Sequence, residues 1–340
     1  MSKKKENIRF HFDVVNSVKG GSGKSFFSLQ LAAFHALNDR AAYIIDLDLR
    51  GTSWEMNYGR YIAPPDLSKG KTILEWEATG HKYPYIDRLM WHYEDYASCG
   101  IWSTIKVENS DGKKSTVSLC IAKTGNYHDV DRLEEDLFEN TIFQIIMGIR
   151  TAEENKDRDV HIILDMPPSY ERHAERVLTH LLLSTNSPFE GKDFDYITTL
   201  FMMETLAPAH FVQNALYIQR LFKDRQYSSC VTQKLKNGTL RIVPVVNDVM
   251  GYIIEGSLNW RAAEYKIGQK REEQWTDIEI GRIFLKDYIS KKLYINHVSL
   301  KNLKSQYDFY IDAEENEDYI PLLDSPGKEL QAFEEWEKSL

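Results

Sequence analysis

Apolar positions fall into short runs separated by longer segments with helical spacing. The runs are Phe10–Val15, Ala41–Ile45, Val117–Ala122, Val160–Leu164, Tyr196–Met203 and Ile242–Val246. Several are apolar throughout, the pattern of strands covered on both faces in a parallel sheet. Between them, Phe27, Leu31 and Phe34 recur at i, i+4 and i+7, which predicts a helix over Phe27–Leu37. Leu133–Ile149 and Ala207–Phe222 read the same way. Strand–helix alternation predicts an α/β fold, a doubly wound and mostly parallel sheet flanked by helices. Residues 54–115 break the rhythm with the Pro64-Pro65 pair, a polar turn at Asn109–Lys114 and many aromatics. They read as an insertion or elaborated connection after the second strand. Its core would hold Tyr83, Tyr85, Trp91, Tyr93, Tyr96 and Trp102. Residues 312–318 are acidic and read as a loop.

Composition narrows the picture. A chain of 340 residues, 42% hydrophobic and 27% charged, is that of a globular protein. We read residues 1–340 as one domain, with residues 260–340 a helical C-terminal part ending in an acidic tail. No apolar run is long enough to span a bilayer, and Met1–Glu6 leads straight into Phe10–Val15, so a cytoplasmic protein is expected. Cys99, Cys120 and Cys230 lie far apart, which excludes a disulfide scaffold or a cysteine zinc site. The histidines show no HExxH spacing. Net charge is −9, and residues 305–340 hold eleven acids and two lysines, so the tail carries the whole excess. Residues 260–304 hold ten Lys or Arg against six acids. They form either a solvated helical face or a surface for a phosphate backbone. The final helix is acidic, unlike a basic amphipathic membrane anchor, so no membrane attachment is expected there.

The most informative residues are Lys19-Gly20-Gly21-Ser22-Gly23-Lys24-Ser25. A strand pattern precedes them, and an amphipathic helix starting near Lys24 follows, the context a phosphate loop requires. Chance occurrence of this motif in such a chain is on the order of 10⁻⁴, so composition alone does not account for it. Glycines let backbone N–H groups converge on an anion, and the helix adds its positive dipole end. Lys24 would bridge the outer phosphates and Ser25 would hold Mg²⁺. The strict pattern wants glycine where this chain has Val18. Asp46 and Asp48, at i and i+2 on a strand end, point to one side and could orient water and Mg²⁺; the plainer reading is an Asp-rich turn. Asp165 ends an apolar strand and leads into Met166-Pro167-Pro168, where it would hold Mg²⁺ through water. Asn247 ends another strand. Its amide offers the donor and acceptor edges that suit adenine, or it is a simple turn asparagine.

Together, the Lys19–Ser25 loop, the Asp46–Gly51 segment and Asp165–Pro168 resemble the ParA/MinD family of deviant Walker A P-loop ATPases, most of all its partition branch. That branch often lacks the first loop glycine. Where the family has Pro-Gln after the second aspartate, this chain has Leu49-Arg50. The resemblance covers about residues 8–340. It implies a P-loop fold of the SIMIBI type, with ATP and Mg²⁺ as cofactors. Gly20, Gly21, Ser22, Gly23, Lys24, Ser25, Phe26 and Asn247 would bind nucleotide, Asn247 at the base. Ser25, Asp46 and Asp165 would serve the metal. Lys24 would act in catalysis, Asp48 would position the attacking water, and Lys19 would reach across an ATP-sandwiched dimer. The implied function is an ATP-driven dimerisation switch in DNA or plasmid partition, with nonspecific DNA and an activator protein as partners. Alternatives are a cargo-positioning or assembly ATPase without DNA binding, or a small-molecule synthetase or kinase. Lys19 argues against the last.

Overall fold

The computed structural model describes residues 10–51, 53–65, 78, 83–86, 88–90, 100–122, 134–152, 155, 157–168, 171–189, 195–205, 213–214, 216–218, 220–221, 224, 227–247, 293–295 and 319–338. The chain runs β1 (Phe10–Asn16), α1 (Lys24–Leu37), β2 (Ala41–Asp46), α2 (Ser53–Tyr58), β3 (Ser103–Glu108), β4 (Lys114–Cys120), α3 (Glu135–Thr151) and β5 (Val160–Asp165). After these come α4 (Arg172–Arg176) with a π-helical turn (Val177–Leu182), β6 (Tyr196–Thr205), α5 (Ser228–Lys236), β7 (Leu240–Asn247), β8 (Leu293–Ile295), β9 (Tyr319–Pro321) and α6 (Asp324–Lys338). Every apolar run named above is a strand, within three residues at either end.

One nine-stranded sheet results, in the order β8-β7-β6-β1-β5-β2-β4-β3-β9. Pairing is parallel except between β3 and β4. The two central strands β1 and β5 are buried almost throughout, which is why they read as continuous apolar runs. Their side chains feed two cores. On one face Phe12 and Val14 pack with Phe138, Ile142 and Ile145 of α3 and Leu178 and Leu181 beyond α4. On the other, Val15, Ile44, Ile163 and Phe201 meet Phe27, Leu31 and Phe34 of α1 and Leu330 of α6. Each such side chain contributes about 1.5–3 kcal/mol on burial.

β3 escapes the apolar search because its buried and exposed positions alternate, with Lys106 on the open side. It returns antiparallel to β4 through a turn closed by Asn109, whose Oδ1 accepts from Asp111 N at 3.1 Å and Lys113 N at 2.8 Å. The aromatic residues Tyr83 and Tyr85 are buried. Trp91, Tyr93 and Tyr96, the basic stretch apart from the backbone of 293–295, and residues 305–318 lie outside the described residues. So does most of the predicted helix Ala207–Phe222, whose described positions from 213 to 221 are helical.

Under α6, toward the starting ends of the strands, lies a buried polar cluster. His11 stacks on His161, with ring centroids 4.3 Å apart, and His161 stacks on His35 at 3.4 Å. Asp13 Oδ2 accepts from His161 Nδ1 at 2.8 Å, and Arg40 donates to His35 Nδ1 at 3.1 Å. Glu334 of α6 pairs with Arg40, which ties the last helix to the sheet.

β1 is the point where the chain turns back: it continues to β2 on one side and later to β6 on the other. In open α/β sheets the crevice at such a point, beyond the carboxyl ends of the strands, is where ligands bind. The glycine loop leaves β1 there.

Candidate active site

Seven residues, Ser17 to Gly23, connect β1 to α1. Gly21 (φ 72°) and Gly23 (φ 87°) sit in the left-handed region that strains any other residue. The loop is held from outside. Asn247 at the end of β7 donates its amide to the Ser22 carbonyl at 3.0 Å. Asn214 accepts from Val18 N at 3.1 Å and donates to the Met203 carbonyl at 2.8 Å. Val18 therefore occupies the strict motif's glycine position with its N–H tied to a side chain from the segment after β6. The first turn of α1 has no side-chain cap and no acid. Its amide ends are thus left to an outside acceptor, which is what a phosphate supplies.

The two lysines differ sharply. Lys24 is buried, while Lys19 is exposed and its backbone N–H donates to Ser17 Oγ at 3.4 Å. Burial lowers the Lys24 pKa, and Asp165, Asp48 and Asp46 act against that.

Asp46 and Asp165 end adjacent strands as direct register partners. Asp46 accepts from Asp48 N at 3.0 Å through Oδ1 and from Ala122 N at 3.2 Å through Oδ2. Burial, then the charges of Asp165 and Asp48, hold its pKa well above the ordinary range. Burial likewise pushes Asp165 up to about 6, against a bond from the Ser25 hydroxyl and the charge of Lys24. Asp48 is half-buried and raised by burial, while Lys24 and the Gly51 and Arg50 N–H groups favour its charge. A Cβ on Gly51 would overlap the Asp48 carboxylate, so a side chain there would displace that carboxylate. Three acids thus face one buried lysine, and Asp165 Oδ1 is buried without a hydrogen-bond partner among the described residues. An all-oxygen, charge-deficient donor set of this kind fits a hard divalent cation.

The structure brings together Lys24, Ser25, Asp46, Asp48 and Asp165. Gly20 lies over Pro168, 3.8 Å from where its Cβ would be, and Phe26 stands in the first turn of α1, partly buried. Asn247 lies at the end of its strand and bonds the loop itself. Sequence reasoning missed three residues. Trp54 donates its indole N–H to Asp165 Oδ2 at 2.8 Å. His173 meets the Leu47 carbonyl at 3.2 Å, between the two aspartates, and its pKa is lowered by burial to about 4. Asn214 is the third. None belongs to a motif, and each acts from a segment distant in sequence.

No family model matches the chain, and no curated protein matches it. Solved structures do. pNOB8 ParA matches over 96% of this chain and 99% of its own, at 13% identity and a TM-score of 0.51. pNOB8 ParA bound to nonspecific DNA matches over the same shares at 12% identity and 0.51. A plasmid partition protein from Borrelia burgdorferi matches over 98% and 100%, at 13% identity and 0.49. At such identities the likeness is one of overall architecture. The chain has the fold of pNOB8 ParA.

Proposed function

We propose that the protein is an Mg²⁺-dependent ATPase that switches between monomer and ATP-bound dimer, acting in DNA partition. The observation that carries this reading is the contrast between its lysines. Lys24 is buried beside Asp46, Asp48 and Asp165, and Lys19 of the same loop is exposed. Loop N–H groups and Lys24 would hold the phosphates. Ser25 and Asp165, with Asp46 beside them, would hold Mg²⁺, which when bound neutralises charge on the outer phosphates. Asp48, oriented by the Gly51 and Arg50 N–H groups, would accept a hydrogen bond from the attacking water. Asn247 braces the loop at Ser22 and would lie on the base side. Lys19, free of the loop's interior, would stabilise transition-state charge on a second protomer's nucleotide. pNOB8 ParA binds nonspecific DNA; we carry that partner to this chain, together with an activator protein that ends the ATP state.

The test is light scattering of Asp48→Ala with ATP or ADP, with and without nonspecific duplex DNA. ATP should give a persistent dimer that binds DNA, and ADP a monomer that does not. A monomer at millimolar ATP refutes the switch. A dimer indifferent to DNA at low salt favours a cargo-positioning ATPase.

A further inference from the structure

We propose that Trp54 is a positioning residue that fixes the Asp165 carboxylate and so sets the protein's affinity for Mg²⁺; this rests on the nucleotide-site reading above. Trp54 stands on α2, directly after the Asp46–Gly51 segment. Its side chain is 1% exposed and leans on Tyr58, with ring centroids 5.4 Å apart. An indole N–H has one donor and no acceptor, and leaving it unpaired in such a place would cost about 1–3 kcal/mol. Phenylalanine would fill the core without that liability. The N–H instead donates to Asp165 Oδ2 at 2.8 Å.

The consequence lies in the second oxygen. Oδ1 of Asp165 is buried and has no hydrogen-bond partner among the described residues. An unrestrained carboxylate can rotate and offer either oxygen. Tied at Oδ2, this one offers Oδ1. Groups that orient a metal-binding carboxylate from behind are worth 10–100-fold in metal affinity. The link also has mechanical reach. Glu55, the next residue, accepts from the Tyr85 hydroxyl at 3.1 Å. Helix α2 therefore joins the aspartate loop, the carboxylate at the end of β5 and the segment around Tyr85.

The experiment compares wild type with Trp54→Phe, using a fluorescent ATP analogue at fixed concentration. Binding is measured first in EDTA and then during Mg²⁺ titration, and turnover is measured across the same titration. Trp54→Phe should keep metal-free nucleotide affinity within about twofold, and its Mg²⁺ half-saturation should rise about 10–100-fold. Maximal turnover should return at high Mg²⁺. Unchanged Mg²⁺ dependence overturns the proposal. So does lost metal-free binding with Mg²⁺ dependence intact, since that marks a packing role. If Trp54→Phe does not fold, the ¹⁵N indole spectrum of wild type decides. Of seven tryptophans, one exchange-protected N–H signal should move when Mg²⁺ is added to the ADP-bound protein; no such movement overturns the proposal. A wild type that binds no nucleotide in EDTA or Mg²⁺ sinks the site reading, and this proposal with it.

Discussion

His11→Phe should make the protein more resistant to acid. His11 stacks on His161, 12° from parallel, and a phenylalanine ring keeps that stack. What it removes is a titration. Burial, then the charges of His161, Arg241 and Arg40, lower His11 to about 3, while Asp13 acts against them. His161 is also held at about 3, by burial and Arg40 against Asp159 and Glu334, and His35 lies well below its ordinary value. Asp13 is pushed up to about 7 by burial. Between about pH 3 and 6.5, the unfolded chain binds a proton at His11 that the folded chain refuses. Stability therefore falls as pH drops through that window. From about pH 7 to about pH 5, one such histidine costs roughly 1.9 kcal/mol. The figure depends on the unfolded pKa and the two pH values, so long as the folded value stays below about 4. Asp13 works in the opposite direction, because its raised pKa makes the folded form the better proton binder between about 4 and 7. Asp13 is present in both proteins, but His11 is among the groups that lower its pKa, so His11→Phe raises it further and adds to the variant's gain on acidification.

The assay is urea unfolding of both proteins at the two pH values. The variant should gain at least about 1.9 kcal/mol on wild type between them, with equal slopes against urea. A difference that stays constant with pH would mean that His11 titrates in the folded protein as it does in the unfolded chain, and would refute the reasoning.

Lys24→Ala should abolish nucleotide binding, seen as loss of the ATP-induced rise in melting temperature; a retained rise counts against the phosphate loop. Lys19→Ala should keep ATP binding and lose hydrolysis by at least about 10²-fold, as removal of a transition-state donor does. Mixing Lys19→Ala with Lys24→Ala then tests action across the interface, and full turnover of Lys19→Ala alone would end that assignment. Asn214→Ala strips partners from Val18 N and the Met203 carbonyl, at about 1–3 kcal/mol for each buried group, so its urea midpoint should fall. An unchanged midpoint would show that the loop's entry is not pinned there. Gly51→Ala overlaps the Asp48 carboxylate and should cut turnover with little effect on nucleotide affinity; equal turnover would remove Asp48 from the chemistry.

Most of the architecture was legible because β1, β5 and β2 are buried on both faces, and burial on both faces writes itself as an unbroken apolar run. The glycine loop was legible for a different reason: Gly21 and Gly23 adopt positive φ, so the chain must spend glycines there. β3 was hidden because a strand half open to solvent mixes Lys106 with Ile105 and Val107. α4 was hidden too, since a five-residue helix is too short to display a period. In the site, Lys24 could be found from the glycine loop it closes, and Asp46, Asp48 and Asp165 because they lie at or just past a strand end. Trp54, Asn214 and His173 could not. Their roles come from contacts across 111, 196 and 126 positions, and no local pattern encodes such a distance.

Charge explains why a site of this kind would lead to a dimer under the proposed reading. One buried lysine faces three carboxylates whose pKa values are already raised by burial and crowding. A triphosphate adds more negative charge to the same crevice. Lys24 alone does not offset it, so the bound state gains from every further cation within reach. Lys19 is exposed, and under the proposed reading it would supply such a cation to a partner's phosphates. Hydrolysis lowers the charge the two protomers share and weakens the reason for them to stay together. Under the proposed reading, nucleotide occupancy and assembly would therefore be linked through the charge that the added cations offset.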